Sequence, residues 1–304
     1  METHLEVRDV SKSFGHVKAV DALSLAVPRG SVFGLLGPNG AGKTTTIRMV
    51  MRITLPDSGT IRLGGVVIDD DVRERIGYLP EERGLYRKMK VVDHLAFLAE
   101  VRGLSRPEAR RRSVRWLERL DLAAKSGAKV EELSKGMQQK LQFAGAVIHE
   151  PELVIFDEPF TGLDPIATRQ FKDEIIAMRA RGTTVVFSTH VLPQAEELCD
   201  EICLINRGHV VLSGALDAIR ARHSRHALRV VTRAGEEALR AVPGVAAVQA
   251  AGDAWAVEMA AGIDGPELIR ALATCLPLEA AEPLVESLED IFLRNVEADH
   301  AAVA

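Results

Sequence analysis

The nine residues Gly37-Pro38-Asn39-Gly40-Ala41-Gly42-Lys43-Thr44-Thr45 constrain this chain more than any other stretch. They fit G-x-x-x-x-G-K-[ST], and their surroundings matter as much as the match. The apolar run Val32-Phe33-Gly34-Leu35-Leu36 before them is short enough to be a buried strand, and Thr46 to Met51 after them reads as a helix. Strand, glycine-rich loop and helix in that order predict a phosphate cradle. Glycine lets the backbone wrap a polyanion with its N–H groups turned inward, and the helix N-terminus adds a positive dipole end. In such a loop the Lys43 ammonium reaches the β- and γ-phosphates and the Thr44 hydroxyl ligands Mg²⁺. The bland alternative is a Gly-rich turn without chemistry, and further phosphate-handling groups elsewhere in the chain would weigh against it.

At 304 residues the chain has room for one large domain or two smaller ones, each with its own core. A net charge of -5 gives no general reason to expect nucleic acid as a partner. No stretch approaches 18 uninterrupted apolar residues, and Met1-Glu2-Thr3-His4 lacks the basic and apolar regions of a signal peptide. The expectation is therefore a cytoplasmic chain that reaches a membrane only through a partner. Cys199, Cys203 and Cys275 make no disulfide framework. Cys199 and Cys203, four residues apart, have no further Cys or His at ligand spacing and read as small buried thiols.

Leu5 to Val10 alternates like a half-buried strand, Ser11 to Gly15 reads as a turn carrying the lone aromatic Phe14, and Val20 to Val27 alternates again. Pro28-Arg29-Gly30 then reads as a hairpin into the loop's strand. Thr60 to Leu63 and Val66 to Ile68, flanking Gly64-Gly65, give another hairpin. Together these predict an antiparallel β-subdomain fused to a parallel core. Ile76 to Leu79 is a short strand. Val91 to about Leu122 is helical, with Leu95, Leu98, Val101, Val114, Leu117 and Leu120 at helical spacing. Arg106, Arg110, Arg111, Arg112 and Arg115 within it fit a solvated face, because a nucleic-acid patch needs more charge and aromatics than one helix carries.

Ser134 is placed as the N-cap of a helix running to about His149. Leu153-Val154-Ile155-Phe156-Asp157-Glu158 has the form of a buried parallel strand delivering two acids at its carboxyl end. Gly162-Leu163-Asp164-Pro165 opens the next helix, and Val185 to Ser188 is a core strand ending at Thr189-His190. Strands alternating with helices predict a doubly wound α/β sheet. Lys172 is the last lysine, and beyond about Leu216 the texture changes. Residues 227–232, 236–241, 245–250, 254–259, 266–275 and 278–284 read β-α-β-β-α-β, a ferredoxin-like order, with a last helix from Leu288 to Val296. That region carries no glycine loop, metal spacing or acid pair and reads as a regulatory or docking module. The expected domains are residues 1–222 and 223–304.

Five motifs thus stand in one order, and over about residues 4 to 215 they resemble the ATP-binding subunit of an ABC transporter. The resemblance implies a P-loop NTPase core with antiparallel β- and helical subdomains, followed by a small ferredoxin-like α/β domain. In it Phe14 matches the aromatic that stacks on adenine, Gly37 to Thr45 the Walker A loop, and Leu153 to Glu158 Walker B. Asp157 then holds Mg²⁺ through water, and Glu158 polarises the attacking water. Asp164 matches an aspartate lying across a dimer interface, and His190 the switch histidine at the γ-phosphate. Two positions depart from the family pattern. The signature, usually L-S-G-G-Q, is Leu133-Ser134-Lys135-Gly136-Met137, with Ser134 and Gly136 retained to touch a partner's γ-phosphate. The Q-loop position holds Glu81, whose carboxylate can ligand Mg²⁺ as an amide oxygen does.

The resemblance implies ATP and Mg²⁺ as cofactors and a head-to-tail homodimer closed on two ATP sites. It also implies a separate transmembrane permease, coupled through Glu81 to Met89 and the helical region after it, and no nucleic acid. Pro80 to Tyr86, the Lys-Gly-Met signature and the appended domain resemble the sodium- or drug-efflux branch, so export is expected. The alternative is a non-transport ABC ATPase acting on ribosomes or DNA. Those usually carry two cassettes or a coiled-coil insertion.

Overall fold

The computed structural model describes residues 2–82, 84–223, 227–284 and 287–294. Arg83 in the Q-loop run, Asn295 and Val296 at the expected end of the last helix, and the remainder of 297–304 lie outside these. Two compact units divide the chain, one through Leu216 and one over Asp217–Arg294.

The first unit opens with β1 (Thr3–Phe14) and β2 (Val17–Pro28), an antiparallel pair with Leu5, Val7, Val10, Val20, Leu23 and Val27 buried. Ser11 to Phe14, expected as a turn, is strand. Register shifts on both sides of Val10, with Asp9 at φ 48° and Ala22 at φ 44°, bulge the ladder and let β1 continue past a break in its alternation. β2 does not form a hairpin with β3 (Val32–Leu36). All five residues of β3 are buried, and it pairs in parallel with two other strands, which leaves β2 no edge. Pro28-Arg29-Gly30 instead carries the chain from one sheet to the next.

After α1 (Lys43–Val50), β4 (Ser58–Leu63) and β5 (Val66–Val67) complete an antiparallel sheet ordered β2-β1-β4-β5. Next come α2 (Asp70–Glu74) and β6 (Ile76–Leu79), the outer parallel strand of the core. The helical insertion is α3 (Val91–Val101) and α4 (Arg106–Arg119), separated at Gly103, whose φ of 84° no helix continues. Val101 and Val114, which stand at helical spacing with the buried leucines, are 64 % and 43 % exposed. α4 buries Ala109, Ser113, Trp116 and Leu117, and Val114, one step of about 100° beyond Ser113, turns off that face.

The core continues with α5 (Lys135–Val147), β7 (Leu153–Asp157), α6 (Pro165–Ala180) and β8 (Thr184–Thr189). α7 (Leu192–Leu198), β9 (Glu201–Asn206) and β10 (His209–Ala215) follow, three elements with no counterpart in the sequence reading. The six-stranded sheet runs β10-β9-β3-β8-β7-β6, parallel except for β10. Its central strands are buried throughout, as apolar runs must be with both faces covered. Their carboxyl ends, at Leu36, Asp157 and Thr189, lie side by side. Cys199 and Cys203 are both buried, and desolvation pushes the Cys203 thiol up to about 12.

The second unit holds β11 (Ala227–Thr232), α9 (Glu236–Arg240), β12 (Val245–Ala251), β13 (Ala254–Met259), α10 (Gly265–Cys275) and β14 (Leu278–Pro283). α8 (Leu216–His223) leads into it. Its antiparallel sheet order β12-β13-β11-β14 is ferredoxin-like, with Leu228, Val230, Leu239, Val248, Val257, Leu268 and Leu272 as core. A helix over 288–294 follows.

Candidate functional site

β3 releases the chain at Gly37, where φ is 146° and an added Cβ would lie 2.1 Å from the Ile205 carbonyl oxygen. Only glycine lets the loop pass β9 there. The loop re-enters helix at Gly42, with φ 110°, and no side chain caps α1. The first N–H groups of α1 are therefore left to an anion. Asn39 to Thr45 line a pocket of about 450 Å³ together with Ala19, Glu81, Glu158, Thr161 and His190. Lys43 is 6 % exposed, and its Nζ donates to the carbonyls of Gly37 at 2.7 Å and Pro38 at 3.1 Å. Burial lowers its pKa, while the carboxylates of Glu158, Asp157 and Glu81 act to raise it.

β7 supplies the acids. Asp157 is fully buried and pairs in register with Ser188 on β8. Its Oδ1 accepts from Ser188 Oγ at 2.5 Å and from Thr44 Oγ1 at 3.3 Å. Glu158 follows at φ 50°, a left-handed conformation that costs a non-glycine residue on the order of 1–3 kcal/mol. Its N–H donates to the same Ser188 Oγ at 3.1 Å. That turn sets Glu158 Oε1 2.9 Å from His190 Nδ1 and 3.8 Å from Lys43 Nζ. One serine hydroxyl thus fixes both acids.

The oxygen set suits Mg²⁺. Asp157 Oδ2 is buried and has no hydrogen-bond partner among the described residues, although Oδ1 has two. Thr44 Oγ1 and the pocket-lining carboxylate of Glu81 are hard donors on the same side as the loop. Tyr78 stands behind them, its hydroxyl pushed up to about 12 by burial and next by the Asp157 charge.

The structure gathers Walker A, Asp157, Glu158, Glu81 and His190, but not every candidate. Phe14 ends β1 at 52 % exposure, with Lys12 Nζ 5.7 Å from its ring centroid, and does not line the pocket. Ser134 and Gly136 lie at the exposed N-terminus of α5. Ser134 caps it by accepting from Met137 N–H, and beyond its chain neighbours and its own helix backbone no described residue comes within 4 Å of a Cβ built on Gly136. Asp164 is likewise outside the pocket and caps α6, its Oδ1 accepting from Ala167 N–H at 2.8 Å. The sequence reading missed Ser188, Thr161 and the amides of Gln139 and Gln142. Ser188 had a signal in its place at the end of an apolar run beside Thr189-His190, whereas Gln139 and Gln142 had none beyond lying in a predicted helix.

A glycine cradle, an acid pair and a histidine at the strand ends of a parallel sheet define a P-loop nucleotide-binding cassette. Residues 20–161 match the family model for ABC transporters, and residues 214–296 match that of the ATP-binding protein DrrA1-3-like C-terminal domain. The chain is 39 % identical over 97 % of its length to an uncharacterized ABC transporter ATP-binding protein, YhaQ, of Bacillus subtilis (strain 168), covering 99 % of it. It is 40 % identical to the Nod factor export ATP-binding protein I of Paraburkholderia xenovorans (strain LB400), over 72 % of this chain and 73 % of that one. A solved ATP-binding subunit of an ABC transporter superposes with a TM-score of 0.68 at 35 % identity, over 72 % of this chain and 93 % of its own. The chain belongs to the ATP-binding subunits of ABC transporters. No described helix is long and apolar enough to cross a membrane, and subunits of this family work with transmembrane permease components.

Proposed function

We propose that this chain hydrolyses Mg·ATP as the motor of an exporter, working as a homodimer on the cytoplasmic face of a separate permease. The observation that carries the reading is the convergence of Lys43, Thr44, Glu158 and His190 on one pocket, with Asp157 buried behind it against Thr44 Oγ1. Lys43 and the α1 N-terminus bind the phosphates. Thr44 and Asp157 hold Mg²⁺, with Glu81 as a further oxygen donor. When bound, that ion neutralises charge developing on the transferred phosphoryl group.

Glu158 receives the proton of the attacking water, and His190 orients its carboxylate through the 2.9 Å contact. Asp164 and the signature residues Ser134 and Gly136 face a second copy, with Ser134 and Gly136 completing the copy's ATP site. The open space at Gly136 supports this, since no packing against the described residues accounts for a glycine there. Export is favoured by the Nod factor export relatives, and permease coupling by the exposed Tyr86 and Phe97, in edge-to-face contact at the start of the helical insertion. Residues 223–304 act as an accessory domain without catalytic groups. Glu158→Gln should keep ATP binding and lower turnover by about 10² or more, measured as phosphate release at saturating ATP. Hydrolysis at the unmodified rate would overturn the assignment.

A further inference from the structure

Gln142 lies in the middle of α5 and is 8 % exposed. Its Nε2 donates to the carbonyls of Pro80 at 3.4 Å and Glu82 at 3.1 Å, the residues on either side of Glu81. Its Oε1 is buried and has no partner among the described residues. A buried amide with half of its capacity unmet is a poor choice for packing, since the orphaned oxygen carries a desolvation penalty that an apolar side chain avoids. The two donor bonds are what Gln142 adds.

The strand leading into the loop meets the same helix. A Cβ on Gly77 of β6 would lie 2.3 Å from the Ala146 carbonyl oxygen, so β6 rests directly on the backbone of α5. α5 therefore holds the Glu81 segment at its base through Gly77 and at its tip through Gln142. The other end of α5 carries Ser134. Between these, Gln139 Nε2 donates to the carbonyl of Pro159, next to Glu158.

We infer that Gln142 is a positioning residue that fixes Glu81 on the metal side of the nucleotide pocket and ties that loop to α5. The inference rests on the proposed role of Glu81 toward Mg²⁺. Both donor bonds go to backbone, so the side chain of residue 81 is left free to face the pocket. Movement of the loop on metal binding is then transmitted to the helix whose N-terminus serves the second copy.

The test uses the full chain and a fluorescent, non-hydrolysed ATP analogue, whose affinity is titrated without metal and against Mg²⁺. Gln142→Leu removes both donors and the orphaned oxygen together. It should keep metal-free affinity within about twofold and raise the Mg²⁺ concentration for half-maximal tightening by about three- to tenfold, the equivalent of one net hydrogen bond. Gln142→Glu, nearly isosteric, places a carboxylate against the same carbonyls and should shift it in the same direction. It serves if the leucine variant does not fold. Lys140→Met removes a comparable donor from α5, to the distant Leu120 carbonyl, and should leave the Mg²⁺ requirement unchanged. Glu81→Ala separates the two readings. If it raises the requirement and folded Gln142 variants do not, the positioning role is wrong and the Glu81 role stands. If Glu81→Ala changes nothing, the reading beneath both fails. Equal shifts from Lys140→Met and Gln142→Leu would reduce Gln142 to general support of α5.

Discussion

Ser188 stands opposite Asp157 in the β7–β8 ladder, and its hydroxyl donates to one acid while accepting from the backbone of the next. Without it, Asp157 Oδ1 keeps only the longer Thr44 contact, and the left-handed turn at Glu158 loses the acceptor that holds it. Ser188→Ala should therefore lower turnover by roughly ten- to a hundredfold, as loss of a residue behind a metal ligand does. Its Mg²⁺ requirement should rise while the fold is kept. A kinetic assay over a Mg²⁺ series decides, and unchanged kcat and Mg²⁺ dependence would show the hydroxyl to be structural only. Residue types and spacing drew attention to Lys43, Asp157 and Glu158, and the family resemblance added His190. Ser188 was marked only by its place at the end of an apolar run, because its role arises from cross-strand register, which no single segment encodes.

At the scale of elements, α3 carries an unusual interior group. His94 is fully buried, neither ring nitrogen has a partner among the described residues, and burial lowers its pKa to about 4. His149, after α5, is lowered to about 4 as well, first by burial and then by Arg102 and Arg112. The unfolded chain takes up these protons near pH 6.5 and the folded one only near 4. Stability is thus fully present above 6.5 and falls as pH drops toward 4, by about 1.4 kcal/mol per pH unit for each histidine. His94→Leu should flatten that decline by one histidine's share, read from urea unfolding midpoints between pH 7 and 4.5. Parallel pH profiles for the two chains would contradict the assignment.

The elements themselves were unevenly legible. β3 and β7 were plain as unbroken apolar runs, and the β-α-β-β-α-β order of the second unit read correctly from alternation and turns. Pro28-Arg29-Gly30 misled because a turn motif says nothing about which sheet the chain enters next. β1 was cut short because a bulge interrupts its period, and β9 and β10 passed unnoticed in a stretch where Cys199, Cys203 and the turn at Arg207-Gly208 drew no pattern.

On the scale of the whole molecule, every group in the nucleotide pocket precedes Leu216, where the first unit ends. The second unit begins at Asp217, so α8 falls almost wholly within it. A chain ending at Leu216 should bind ATP within about threefold of the full chain, because the described residues that line the pocket all belong to the first unit. Nucleotide titration checks this once circular dichroism confirms folding, and a folded truncation that no longer binds ATP would refute it.

The proposed ATP site is composite, with the cradle of one copy closed by Ser134 and Gly136 of another. Light scattering of the Glu158→Gln chain with Mg²⁺ and ATP tests it most directly. The expected particle has twice the 33.1 kDa chain mass, holds two ATP and reverts to monomer when Ser134→Arg is added. A Glu158→Gln chain that binds ATP and stays monomeric, or a dimer indifferent to Ser134→Arg, would contradict it.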